Sequence, residues 1–403
     1  MNQGDPAARC ANCSAAMPPD AAKCPACASP RRRGTSRQAA MLLSLILLGA
    51  LLAVTGFAAR TFRRHEEDLA KEWLRRGEAE LAAGHAEAAL DALRTALVYS
   101  KENAGYELRL AQALVAAGRD EEARAHLRTL WETEPGSAAV NLELARLAVR
   151  RGDIADAMRY YQGSIYGVWD SDGIVRHRQT RLELIQFLSA HGLKSQALSE
   201  ILVFAASLPP DPALQVQAGE LFLEEGSYDR ALAQFRQALR IDSHNAQALA
   251  GAGRASFEAG NFSEAQRYLE RALRVAPLDA STAGLLDLSR SVLSLDPYVP
   301  GLSAEVRSQR ALRDFELAQQ RVASCSAAPG RPASAELADL ARRAASLKPK
   351  AKDRNLRRDM DLFESVAGLA FDVETEAAAA CGAGSPEDRA LALVARYHQR
   401  GAR

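Results

Sequence analysis

Four cysteines near the N-terminus carry the clearest chemistry in this sequence. Cys10-Ala-Asn-Cys13 and Cys24-Pro-Ala-Cys27 each hold two thiols three positions apart. Two such pairs bring four soft ligands to one point, the donor set of a closed, tetrahedral Zn2+ site whose metal is structural because no coordination position stays open for a substrate. A segment of about 20 residues cannot bury a core alone, so it is expected to fold only around its metal. Two other chemistries remain open: a thiol redox pair, which Cys-x-x-Cys forms in a thioredoxin-like context absent here, and two disulfides. Elsewhere the chain offers little to catalysis. Its seven histidines are scattered, and no His-Glu-x-x-His, Gly-x-Ser-x-Gly or phosphate-loop pattern occurs, so neither an enzyme nor a small-molecule substrate is expected. Gly251-Ala-Gly253 begins like a dinucleotide loop but has no preceding strand. A net charge of +1, from 51 basic and 50 acidic residues, leaves no electrostatic footprint for nucleic acid.

The cysteine segment (1–30) is followed by a basic linker (31–38) with Arg31, Arg32, Arg33 and Arg37, and then by Ala39 to Ala59, which contains no charged residue. As a helix this stretch would span about 30 Å, so a transmembrane helix is expected over 39–59. The alternative is a signal peptide cleaved near Gly56-Phe57-Ala58, against which the length of the run and its depth in the chain both count. Arg60, Arg63, Arg64, Lys71, Arg75 and Arg76 follow the span, so basic residues do not decide its orientation. Thiolates that hold zinc persist in a reducing cytoplasm. The expected topology is therefore a single pass through the cytoplasmic (inner) membrane, N-terminus inside and the rest outside; the reverse stays open. Glu66, Glu67 and Asp68 suit the start of a new helix just beyond the span.

From there a ruler runs through the chain. Gly84, Gly118 and Gly152 stand 34 positions apart, and after an insertion Gly192, Gly226 and Gly260 do the same. Ala89, Ala123, Ala157, Ala197, Ala231 and Ala265 follow five residues later, and Leu93, Leu127, Tyr161, Ile201, Phe235 and Leu269 four beyond those. Small residues precede most ruler glycines by seven, at Gly77, Ala111, Ala145, Gly219 and Gly253, whereas Ile185 breaks the rule. A left-handed glycine ends a helix, alanine lets two helices approach, and Pro135, Pro209 and Pro277 close second helices. Each unit thus reads as two antiparallel helices. With Trp73 on the tryptophan position and Tyr228 and Phe262 just after the turn, the sequence resembles the tetratricopeptide repeat family over six units at about 70–103, 104–137, 138–171, 178–211, 212–245 and 246–279. The N-terminal cysteines, with Met17-Pro-Pro-Asp-Ala between them, resemble the short zinc-ribbon family. That family usually has glycine after the second cysteine of each pair, where this chain has Ser14 and Ala28.

The repeat resemblance implies a groove lined by first helices, which would take a protein or peptide. The positions that map onto it are Lys71, Leu74, Glu78, Leu108, Gln112, Leu142, Arg146, Arg150, Gln186, Val216, Glu220, Leu223, Arg254 and Phe257. They lack the lysine and asparagine clamp with which some family members hold a C-terminal carboxylate. Each has an alternative as a solvated or inter-helix position.

Between Gly152 and Gly192 the phase slips by six, around Tyr166 to His177. Asp170-Ser-Asp-Gly173 opens like a calcium loop, but its twelfth position is Arg181 in place of the bidentate glutamate, so turn chemistry is the better account. Trp169 is expected to plug the gap that the insertion opens; the alternative is an exposed anchor for a partner. After Asp279, Leu285, Leu288, Val292 and Leu295 mark a capping helix (280–296). Residues 302–403 carry four apolar stripes at helical spacing, punctuated by Pro332, Pro349 and Cys381-Gly-Ala-Gly384, which predict a four-helix bundle. Cys325 and Cys381 fall at helix ends. Outside the cytoplasm they would form a disulfide; inside, they would be free thiols. The fold class expected is all-α: a repeat solenoid, a C-terminal bundle, one transmembrane helix and a small zinc ribbon. The expected function is a membrane-anchored scaffold holding a protein partner at the bacterial cell envelope. Alternatives are an assembly or biogenesis factor coupling the ribbon to an envelope complex and, less favoured, a thiol redox protein.

Overall fold

The computed structural model describes residues 9–30, 37–326, 334–382 and 384–401. Arg31, Arg32, Arg33 and Pro332 lie outside the described residues. The chain forms two compact units, residues 1–151 and 152–403. Among the described residues every named element is a helix, and the cysteine segment carries two isolated antiparallel bridges, Arg9 with Ala16 and Lys23 with Pro30.

In the first unit, α1 (Arg37–Ala82) packs on α2 (Ala86–Tyr99), followed by α3 (Ala104–Ala116), α4 (Asp120–Thr133) and α5 (Ala138–Arg150). The apolar run and the first repeat helix are one helix. Glu66, Glu67 and Asp68, expected to open a new helix, sit inside α1. No proline or glycine stands between Gly56 and Gly77, and the stretch is rich in Arg, Glu, Ala and Leu, so nothing stops the helix at the charged boundary. Met41–Ala82 is long and apolar enough to cross a membrane, and none of its apolar window is buried.

The second unit opens with α6 (Ile154–Tyr166), then α7 (Gly173–Ala190) with α8 (Lys194–Ala206), α9 (Pro212–Glu224) with α10 (Tyr228–Ile241), and α11 (Ala246–Glu258) with α12 (Phe262–Val275). All six ruler glycines take positive φ, between 69° and 83°, and all six ruler alanines are fully buried. The small residues of the first helices receive the bulky residues of the second: a Cβ at Gly77 would stand 2.7 Å from Leu93, at Gly219 2.7 Å from Phe235, and at Gly253 2.6 Å from Leu269. The six-residue slip is taken up largely by lengthening a helix, since α7 has 18 residues where α9 and α11 have 13. Half-buried Trp169 lies edge-on to His177 at 6.5 Å, under the Arg176 guanidinium.

Beyond the repeats, α13 (Ala280–Leu295) is capped by Asp279, whose carboxylate accepts from the amides of Ser281 and Thr282. Then come α14 (Ala304–Ser326), α15 (Ala335–Leu347), the single turn α16 (Asp353–Leu356), α17 (Met360–Cys381) and α18 (Pro386–Gly401). One of the four expected apolar stripes, formed by Leu356, Met360, Phe363, Ala367 and Ala370, is thus broken between α16 and α17. Asp359 caps α17 by accepting from the Leu362 amide at 3.0 Å, and Met360 is left exposed. The four longer helices α14, α15, α17 and α18 pack on one another as the expected bundle, with Phe315, Leu340, Phe363 and Val366 in its core, but the bundle is continuous with the repeats. α18 returns to α13, and Leu391 and Val394 share one core with Phe257, Phe262, Leu269, Leu286 and Val292.

Candidate functional site

The cysteine cluster is built by two matching knuckles. In each, the first cysteine's amide donates to a carbonyl five residues on (Cys10 to Ala15 and Cys24 to Ser29, both 2.9 Å). Its own carbonyl accepts from the residue after the second cysteine (Ser14, 2.9 Å; Ala28, 2.8 Å). The four sulfurs lie within 4.8 Å of one another, with Cys10 to Cys27 at 3.7 Å and Cys13 to Cys24 at 3.5 Å. A zinc–sulfur bond of about 2.3 Å makes the edge of a regular tetrahedron about 3.8 Å, so Cys10, Cys13, Cys24 and Cys27 fit Zn2+. The thiols do not share charge evenly without it. The Ser29 hydroxyl, 3.3 Å from Cys10 and 2.9 Å from Cys27, leads the effects that lower both, Cys10 to about 6. At Cys13 the Ala15 backbone pulls downward, but Cys27 and Cys24 outweigh it and hold the thiol up at about 12. Four adjacent sulfurs cannot all ionise unless a cation balances them.

The face mapped by the repeat resemblance is largely engaged with itself. In the first unit Glu78 pairs with Arg109 at 3.1 Å, Arg109 donates to Gln112 at 2.9 Å, and Gln112 donates to Glu143 at 2.9 Å. Glu143 also pairs with Arg146 at 3.1 Å, and Arg150 reaches Asp120 at 3.0 Å. These contacts tie α1, α3 and α5 together. Lys71 is exposed and pairs with Asp68 at 3.9 Å, Leu74 and Leu108 are half-buried, and Leu142 is buried. In the second unit Arg254 pairs with Glu220, Gln186 is exposed, and Val216, Leu223 and Phe257 are buried. Leu142, Val216, Leu223 and Phe257 therefore hold helices together, while Arg146, Arg150, Gln186 and Arg254 reach solvent.

Phe257 also lines a cleft of about 710 Å3 with Tyr228, Glu258, Gly260, Phe262, Arg396 and Tyr397. Phe262 stands edge-on to both Phe257 (5.2 Å) and Tyr397 (6.0 Å). Sequence reasoning confined the groove to first helices and missed Arg396 and Tyr397 on α18. The signal was faint: Leu391, Val394 and His398 mark the buried stripe of α18, and Tyr397 stands at its edge.

Residues 80–136, 121–164 and 222–287 match a family profile described as tetratricopeptide repeat. These segments are tetratricopeptide repeats. The stretch between the two tetratricopeptide blocks holds the lengthened α7 and Ile185, the unit that departs furthest from the ruler. The chain is similar to cellulose synthase 1 operon protein C of Komagataeibacter xylinus, 32% identical over 197 residues, which are 48% of this chain and 14% of that protein. Cellulose synthase operon protein C of Komagataeibacter sucrofermentans is 37% identical over 146 residues, 36% of this chain and 10% of its own. The matches thus span at most about a seventh of those relatives. Among solved structures, YrrB, described as a tetratricopeptide repeat protein with an unusual peptide-binding site, is 22% identical, with 48% of this chain and 96% of that one covered and a TM-score of 0.35.

Cys325 and Cys381 are joined as a disulfide with their Cα atoms 5.9 Å apart, packed with Leu337 and Ala377 at the ends of α14 and α17.

Proposed function

We propose that this chain is a membrane-anchored, non-enzymatic tetratricopeptide repeat scaffold that holds a protein or peptide of the bacterial envelope. The observation that carries the reading is α1, whose exposed apolar half runs without a break into the helix that packs on α2. A bilayer-spanning segment joined in this way delivers the first repeat to the membrane surface without a tether. The chemistry of the cysteines supports the orientation. A four-thiolate Zn2+ site belongs in the reducing cytoplasm and a structural disulfide in an oxidising compartment, which favours a topology with residues 1–38 inside and the repeats outside the inner membrane. Partner contact would fall to the solvent-reaching Arg146, Arg150, Gln186 and Arg254 and to the cleft beside Phe257.

Photo-crosslinkers at Arg146 and Arg254 in native membranes should capture one envelope protein, and alkaline carbonate should leave the full-length chain in the membrane fraction. A chain released by carbonate, or protease-protected repeats in intact spheroplasts, would overturn the anchor or its orientation. The relatives named for cellulose synthase operons favour a second reading, an assembly factor for an enzyme complex. Deleting residues 1–30 separates the two: a simple scaffold keeps its partner, whereas a coupling factor loses the activity of the complex.

A further inference from the structure

The two knuckles of the cysteine segment share one feature that opposes metal binding. Ser14 and Ala28, the residues after the second cysteine of each pair, sit in the left-handed region, at φ 54° and 56°. They must, because each amide turns back to the first cysteine's carbonyl while the next backbone carbonyl faces that cysteine's amide. Glycine adopts this conformation freely, whereas a side chain there crowds the backbone, and alanine has no polar group with which to compensate. Little else holds the segment. Its buried set is Cys10, Met17 and Cys24, with Ala15 and Cys27 half-covered. Strain in a large domain is spread over many contacts, but here folding and metal capture are one event, so both crowded turns are charged against the affinity for the ion.

We infer that the N-terminal ribbon is a Zn2+ site whose affinity is lowered by the left-handed turns at Ser14 and Ala28, so that its fold is gained and lost with the metal more readily than with glycine at both positions. This rests on the zinc reading of the four cysteines. On the topology proposed above, whatever the folded ribbon binds would be held at the membrane on the side opposite the repeats.

The test is zinc affinity of the full-length protein in detergent, by competition with a chromophoric chelator, for the natural chain and for Ser14→Gly, Ala28→Gly and the double variant. Relief of left-handed strain, less the extra freedom glycine gives the unfolded segment, should tighten binding about threefold to tenfold at each position and about thirtyfold together. Ala15→Gly, at a position where φ is negative, should not tighten it. Equal or weaker affinity in the double variant, with one zinc bound throughout, would overturn the inference and leave the zinc site standing. Absence of stoichiometric zinc from the natural chain and the variants alike, matching Cys24→Ser, would overturn both.

Discussion

Replacing Asp314 by asparagine should stabilise the C-terminal helices and flatten their response to pH. Asp314 lies on α14 with no exposed surface, and neither carboxylate oxygen has a hydrogen-bond partner among the described residues. Burial, then the charge of Asp296, push its carboxyl up to about 8, with Glu374 adding to the rise and Arg313 and Arg310 opposing it. Arg310 is turned away, donating to the carbonyls of Leu293 at 2.6 Å and Asp296 at 2.8 Å. In the unfolded chain the same carboxyl ionises near 3.8. The folded form therefore holds a proton that the unfolded form releases, so stability falls as pH rises from about 4 to about 8 and is level above that. At pH 7 about three pH units separate the solution from the unfolded value, at about 1.4 kcal/mol each, so the buried acid costs up to about 4 kcal/mol. Asparagine keeps the shape and cannot ionise. Urea midpoints of peptides from α14 and α17, read by pulsed hydrogen exchange between pH 5 and 8, should rise in Asp314→Asn, and the pH slope should drop by about one proton. Glu374, raised to about 7 chiefly by burial, should supply most of the remaining slope and lose it in Glu374→Gln. A variant that is less stable than the natural chain at pH 7, or that keeps the full slope, would refute the reasoning.

Other expectations follow from packing. Gly219→Ala places a methyl 2.7 Å from the Phe235 ring and should cost about 1–3 kcal/mol, whereas Gly284→Ala, helical and with no atom within 4 Å, should add about 1 kcal/mol; thermal unfolding checks both. Cys325→Ser should cost about 4 kcal/mol in the chain-entropy model for a separation of 56 residues, and reductant should lower the melting temperature of the natural chain but not of the variant. Glu143→Ala removes the nearly buried carboxylate shared by Gln112 and Arg146 and should cost about 1–3 kcal/mol, with a double-mutant cycle showing coupling between Glu143 and Arg146.

What was legible in the sequence were features enforced locally. A glycine ruler, alanines five residues on and bulky side chains four beyond determine helix ends and helix approach within 34 residues, and all six units show them. The cysteine pairs were equally plain, down to the two residues that stand where glycine is usual. Three features were hidden. The break at Asp359 was masked because Leu356, Met360 and Phe363 keep helical spacing across it, and only the capping carboxylate reveals the gap. The burial of Leu142, Val216 and Leu223 was another, since an apolar residue on a first helix serves a neighbouring helix as readily as a ligand. The return of α18 to α13 joins segments far apart in the chain, and an apolar stripe states that a face will be covered without naming its cover.

That return gives synthesis a waiting time. The face of α13 that α18 covers emerges about ninety residues before its cover, which at roughly 5–20 residues per second leaves it bare for about five to twenty seconds. During that interval the unfinished end of the chain exposes Leu286 and Val292 to whatever is nearby. A holdase, or a growing neighbour's own terminal helix, could settle there first, and truncation just before Pro386, which leaves that face bare for good, should yield aggregates and not a shorter folded product.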